Sequence, residues 1–330
     1  MLSKRFLVLS GAAAISLAAT AATAATAGPA LAATPPVSHA RIIAHFDIAT
    51  GEQPENIALE PDGAPDVTFA FAHQIARVTR GGGIQVLATL PAPPAGSAVP
   101  VLGAPEFLAG IVIARDGTRF VNYDTGTAAL TGVWRVRPGG QPARIAALPA
   151  DSLANGLAID RGTGMLYVTD SALGVIWRVP VSGGTPVVWA SGPDLQSAGF
   201  LGANGLKVHD GAVWASNTDK GLLLRIPILP GGAAGTIRVA ASGVAAIDDF
   251  SFTSGAGDTV LAAQNAISQV ALIRPDGTHT TVLTAADGLS NPSSVAVTGH
   301  TIYVTSAAYV TGTDPNLLTA QLACSAEPAR

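Results

Sequence analysis

Six short apolar segments along the chain each carry an alternating pair of hydrophobic residues. The position two residues ahead of each pair is where chemistry could be done. The pairs are Ile57/Leu59, Ile111/Ile113, Leu157/Ile159, Leu206/Val208, Phe250/Phe252 and Val295/Val297; ahead of them stand Glu55, Ala109, Asn155, Asn204, Asp248 and Ser293. Four of those six offer carboxylate or carboxamide oxygen, the hard donors that Ca²⁺ prefers. Two carboxylates balance a dication, and two amides add donors without adding charge. Taken singly the same residues have plainer explanations. Asn155-Gly156 and Asn204-Gly205 are common turn pairs, and a lone Glu55 is most simply a solvated acid. Their common register is what points to one divalent-cation site, expected to take Ca²⁺, at Glu55, Asn155, Asn204 and Asp248. Such an ion acts as a Lewis acid on a carbonyl or phosphoryl oxygen and orients water. Asp248, or Asp249 behind it, is then the expected base or nucleophile.

The elements that must hold these residues form a repeat. After each apolar pair comes a β-rich strand, such as DVTFAFA from 66 or MLYVTDS from 165. Next comes a strand reading apolar-x-Arg-apolar in its clearest copies, GVWRVR at 132–137, VIWRVP at 175–180 and LLLRIP at 222–227. A fourth strand follows the first five of these, as in IQVLATLP at 84–91. The runs are short, rich in Val, Ile, Thr and aromatics, and end at Gly or Pro, which excludes helices. Four strands at a period of 43–54 residues is the requirement of one propeller blade. The expected fold is all-β, a six-bladed β-propeller; a parallel β-helix is the competing architecture, but its repeat is shorter. The sixth blade lacks its fourth strand, while RIIAHFD at 41–47 is a strand without a blade. Pairing the two closes the ring and removes an open edge.

First strands of a propeller line the central channel, so the ring residues lie around its axis. Further out, Asp124, Asp170, Asn217 and Asn265 each end a second strand. Capping of the following turn is the plain role for them; substrate contact is the sharper one, best for Asp124, whose loop is long. Two long connections, 91–107 and 192–203, cross the same face, where long loops commonly bind. Phe107, Phe200 and Leu201 are the apolar rim they would supply.

Hydrophobic residues make up 48% of the 330-residue chain and charged ones 12%, which suits a large core and excludes disorder. Residues 1–32 are expected to be a signal peptide, with Lys4 and Arg5 ahead of an uncharged apolar run and Ala30-Leu31-Ala32 as the cleavage site. The propeller domain then spans 33–330, and the mature protein is expected to be secreted. The net charge of −4 becomes more negative once Lys4 and Arg5 leave, which argues against nucleic acid or an anionic membrane as partner. A small-molecule substrate is expected; the oligomeric state is not legible. Cys324 is alone, so no internal disulfide forms.

The segments PENIALEPDG, LANGLAIDRGTGMLYVTDSALGVIWRVP, GANGLKVHDGAVWASNTDKGLLLRIP and AIDDFSF resemble the senescence marker protein/gluconolactonase/regucalcin family. The related calcium-dependent phosphotriesterases and paraoxonases look similar at the same places. The likeness runs over about residues 41–322, and its most specific element is the in-register order Glu, Asn, Asn, Asp. It implies a catalytic divalent cation on Glu55, Asn155, Asn204 and Asp248. Asp249 resembles the second ligand that paraoxonases place after the Asp, although theirs is an amide. The chain also departs from these relatives. Where paraoxonases carry a catalytic His it has Ala109, and none of His39, His45, His73, His209, His279 and His300 falls on the ring. Blade two lacks a clear match to the Arg and Asn with which sugar-lactonase relatives grip a polyol. Two functions therefore stand open, a metal-dependent lactonase or esterase and a non-catalytic propeller with a structural metal that binds a ligand or protein.

Overall fold

A computed structural model of the chain describes residues 36–323. The expected signal peptide and Cys324 lie outside the described residues. The strands form six four-stranded antiparallel sheets. This is a six-bladed β-propeller. In blade I the strands run Pro54–Leu59, Pro65–Phe69, Gln74–Val78 and Ile84–Thr89, each paired with the one before. The other first strands are Phe107–Ile113, Ala154–Asp160, Ala203–His209, Ile247–Phe252 and Pro292–Thr298.

Burial follows position in the blade. The second strand of blade I is buried at every residue, whereas its fourth strand is largely exposed. Inner strands are covered on both faces by neighbouring blades, so residues of both faces are buried, the polar ones included. Outer strands lie at the edge of each blade and are more exposed. The cores lie between blades. Phe120 and Val133 of blade II pack with Leu157, Leu166 and Val168 of blade III, and Tyr167 and Ile176 of blade III pack with Leu206 and Val213 of blade IV.

The sixth sheet closes the ring as the sequence led us to expect. Its order outward is Pro292–Thr298, Thr301–Ser306, Asn316–Leu322 and then the N-terminal strand Val37–His45, antiparallel to its neighbour. Val37 enters the core between blades V and VI, while Ala44 and Phe46 enter the one between VI and I. Among the described residues no helix is long and apolar enough to cross a membrane.

Candidate divalent-cation site

In all six first strands the antiparallel register slips at the ring position. The breaks fall between Pro54 and Asn56, Leu108 and Ile111, Ala154 and Leu157, Ala203 and Leu206, Ile247 and Phe250, and Pro292 and Ser294. A bulge leaves a residue without a cross-strand partner and re-aims its side chain. Here it presents Glu55, Asn155, Asn204 and Asp248 to a single cavity of about 460 Å³.

Two devices fix the ring residues. Polar side chains of one blade hold the ring backbone of the next. Thr68 Oγ1 donates to the carbonyl of Ala109 at 2.7 Å, Asn122 Nδ2 to Asn155 at 2.8 Å, and Ser216 Oγ to Asp248 at 2.5 Å. Thr169 Oγ1 does the same for Asn204, and Ser293 Oγ reaches the Pro54 carbonyl at 2.7 Å. The second device is close approach of the first strands. A Cβ on Gly156 would stand 2.4 Å from the Asn204 carbonyl oxygen, and one on Gly205 would stand 2.5 Å from the Asp249 Cα. Asn155-Gly156 and Asn204-Gly205 are therefore inside strands, not at turns. Their glycines serve strand-to-strand contact.

The four donors are buried, from 2% exposure at Asn204 to 6% at Asp248. Tyr309 Oη donates to Glu55 Oε2 at 2.5 Å, and Asn265 Nδ2 donates to Asp248 Oδ2 at 3.1 Å. Asn204 Nδ2 donates to Thr218 Oγ1 at 2.8 Å, which leaves the buried Asn204 Oδ1 without a protein partner among the described residues. Burial pushes the Glu55 carboxyl up to about 7, the charge of Asp249 adds to this, and the Tyr309 hydrogen bond opposes it. Burial, then Glu55 and Asp249, lift Asp248 well above the usual carboxylate range, against hydrogen bonds from Asn265 and Asn204. Among the described residues no Lys, Arg or His lines the cavity. Two buried carboxylates with no protein cation beside them, plus an orphaned amide oxygen, fit an oxygen-liganded dication. Among the described residues no three His, Cys, Asp or Glu side chains cluster as a metal-holding group. The set relies on amides to complete itself.

Asp249 is not on the cavity wall. Its carboxylate meets Lys207 Nζ at 2.7 and 2.6 Å, Asn56 Nδ2 at 3.1 Å and Ser294 Oγ at 2.8 Å. Asn56, Asp249 and Ser294 directly follow the ring position in blades I, V and VI, where blades II to IV have Gly110, Gly156 and Gly205, and Lys207 comes from further along the first strand of blade IV. Asp124 is fully buried and is also off the wall; its Oδ1 accepts from the Ala154 N–H at 3.2 Å, bracing the strand that carries Asn155. Asp170 and Asn217 cap turns, accepting from Leu173 N at 3.0 Å and from Lys220 N at 3.0 Å. Asn265 differs, because it reaches Asp248. Phe107 and Phe200 both line the cavity, Phe107 buried at 5% exposure and Phe200 at the rim. Sequence reasoning missed Tyr309, which sits on an unrepeated loop of blade VI. It also missed the polar series Thr68, Asn122, Thr169 and Ser216, which was visible near the end of the second strands of blades I to IV.

No family model matches the sequence, and no curated protein is similar to it at significance. Solved structures do match it. A gluconolactonase from Xanthomonas campestris is 16% identical with a TM-score of 0.61, covering 90% of this chain and 99% of its own. A calcium-binding regucalcin from Agrobacterium tumefaciens is 14% identical with a TM-score of 0.62, covering 86% and 93%. The chain shares their fold. A catalytically inactive virginiamycin B lyase from Staphylococcus aureus, 14% identical with a TM-score of 0.58 over 86% of this chain and 100% of its own, shares it too. Gluconolactonase- and regucalcin-like propellers are thus structural neighbours at low identity, and the propeller itself does not choose among chemistries.

Proposed function

We propose that the protein is an exported, divalent-cation-dependent hydrolase of lactones or esters. The observation that carries this reading is the pairing of Glu55 and Asp248, both buried, in one cavity with two amides and, among the described residues, no basic side chain. Glu55, Asn155, Asn204 and Asp248 would hold the cation, and Ca²⁺ suits an all-oxygen donor set. When bound, such an ion supplies Lewis-acid polarisation of a carbonyl oxygen.

The remaining work falls to the chain's own groups. Asp248 lines the cavity and Asp249 does not, so the base is assigned to Asp248 and Asp249 becomes a positioning residue. Asp248 takes a proton from the attacking water as its oxygen bonds to the carbonyl carbon. That proton then passes to the departing alkoxide oxygen as the C–O bond breaks. Asn265 holds one Asp248 oxygen throughout, and Tyr309 fixes Glu55. The apolar walls exclude bulk water, which strengthens each of these interactions. The neighbouring gluconolactonase is consistent with this chemistry.

A second reading, a ligand-binding propeller without catalysis, is favoured by Ala109, which puts a methyl group where the ring could have carried a histidine. A panel of lactones, aryl esters and phosphotriesters, assayed with Ca²⁺ and with chelator, separates the two. Cation-dependent turnover abolished in Asp248→Asn is the expected result. Turnover indifferent to chelator and to that substitution would remove the hydrolase reading.

A further inference from the structure

The walls above the ring differ sharply from its floor. Phe71, Leu102, Phe107, Leu153, Phe200 and Leu201 make the sides, and Val310 stands at the mouth. Donors of the few polar side chains near them are already engaged within the protein. Gln53 Nε2 donates to the Ala307 carbonyl at 2.7 Å, and Thr218 Oγ1 donates to the Ile247 carbonyl at 2.8 Å. Asn265 Nδ2 is shared between Asp248 and the Pro292 carbonyl, and Tyr309 Oη is committed to Glu55.

A polyol entering this cavity would strip water from several hydroxyls and, beyond the amide oxygens of Gln53 and Asn265, meet mostly carbon on the walls. Each unsatisfied group is costly, so such ligands are rejected strongly. An anionic ligand fares no better. Two carboxylates balance one dication, and among the described residues no Lys, Arg or His lines the wall to meet a phosphate or a second carboxylate. What remains favourable is a neutral carbonyl for the floor and a hydrocarbon for the walls.

The rim supports this further. Phe200 is 51% exposed and Val310 71% exposed, large apolar side chains held in water at the cavity mouth. The loop that presents Phe200 is pinned. The Asp219 carboxylate accepts from the N–H groups of Ala198, Phe200 and Leu201 at 2.8, 2.8 and 3.1 Å. A loop fixed before the ligand arrives loses little entropy on binding.

We propose that the ligand of this cavity is a neutral ester or lactone bearing an alkyl, acyl or aryl group of several carbons, not a polyhydroxylated lactone or an anionic ester. The assignment rests on the hydrolase reading for its ester, but its apolar part rests on the walls alone. Asp219 acts on it as a positioning residue through the 198–201 loop.

The test uses γ-lactams, the non-hydrolysable counterparts of γ-lactones, unsubstituted and with butyl, hexyl and octyl chains. Binding to the Ca²⁺-supplemented full protein is read by calorimetry, beside hydrolysis of the matching lactones. Affinity should rise about fourfold per buried methylene until the chain passes the rim. Phe200→Ser changes an exposed residue, so folding is kept. It should weaken the octyl lactam about tenfold and the unsubstituted one little, and Asp219→Ala should flatten the series in the same way. Affinity independent of chain length, or tighter binding of a polyhydroxylated lactam, would overturn the proposal. Hydrolysis confined to polyhydroxylated lactones would overturn it while leaving the hydrolase reading intact. A steep chain-length series with no turnover of any lactone would support the apolar site and remove the hydrolase reading instead.

Discussion

The Lys207 ammonium lies 2.6 Å from Oδ2 of Asp249, the residue next in sequence to the cavity carboxylate of Asp248. Two acids adjacent in one strand are thus sorted by the bulge. Asp248 turns to the cavity, while Asp249 turns to an internal cation and to Asn56 and Ser294. Removing Lys207 would leave Asp249, 2% exposed, as an uncompensated buried charge. Breaking a buried pair costs about 3–5 kcal/mol. Because Lys207 is 28% exposed, the expected cost of Lys207→Met is at or below the low end of that range. The double variant Lys207→Met/Asp249→Asn should recover most of it, measured by urea unfolding with Ca²⁺ in excess. Strict additivity of the two single substitutions would show that the pair is not coupled.

Tyr309 bears on the other cavity acid. Its hydroxyl stabilises the ionised form of Glu55 and so opposes the upward push of burial. In Tyr309→Phe the Glu55 proton is held more tightly, and a cation must displace it. Ca²⁺ affinity at pH 7 should fall about tenfold, the scale expected when a group that orients a ligand is lost. The deficit should narrow by pH 8.5, where protons compete less with the cation for Glu55 in either protein. A loss of equal size at both pH values would assign Tyr309 to packing alone.

The same proton makes stability without metal depend on pH. Glu55 titrates near 4.5 when exposed and is pushed up to about 7 in the fold, and Asp248 moves the same way. Between those values the folded chain binds more protons than the unfolded one, so stability falls as pH rises. In chelator, Tm should drop between pH 5 and pH 8. Saturating Ca²⁺ should remove or reverse that slope, because ligands bind it deprotonated. A chelated protein whose Tm climbs over this interval would contradict the buried carboxylate pair.

Much of this was legible in the residues. Period-two runs broken by Gly and Pro at a constant repeat gave six blades, and the missing outer strand of the last blade gave the closure. The register of Glu55, Asn155, Asn204 and Asp248 was readable because a bulge at one fixed position carries all four. What the register could not reveal was direction. Asp248 and Asp249 look alike in sequence, and only the fold shows that Lys207 and Ser294, from two different blades, claim the second. The glycines illustrate the same limit. Asn-Gly marks a turn by local preference, yet Gly156 lies in a strand because the Asn204 carbonyl leaves no room for a Cβ. Tyr309 was out of reach for another reason. It approaches Glu55 across 254 positions of sequence from a loop with no counterpart in other blades.

The closure strand carries the largest expected effect on stability. Val37, Ala44 and Phe46 are buried in two separate inter-blade cores, and Phe46 meets Phe69 edge to face at 5.1 Å. Removing residues 33–47 would open a gap in both cores and leave Asn316–Leu322 as an unpaired edge, a template for aggregation. Phe46→Ala alone should cost about 3–5 kcal/mol. The truncated chain should be largely insoluble or melt far below the full one, read by differential scanning fluorimetry on the soluble fraction. A synthetic peptide of residues 36–47 added during refolding should restore solubility, because an open edge accepts a strand in trans. If the truncated protein instead stays soluble at an unchanged Tm, the ring does not depend on its N-terminal strand, and closure must come from contacts between blades I and VI alone.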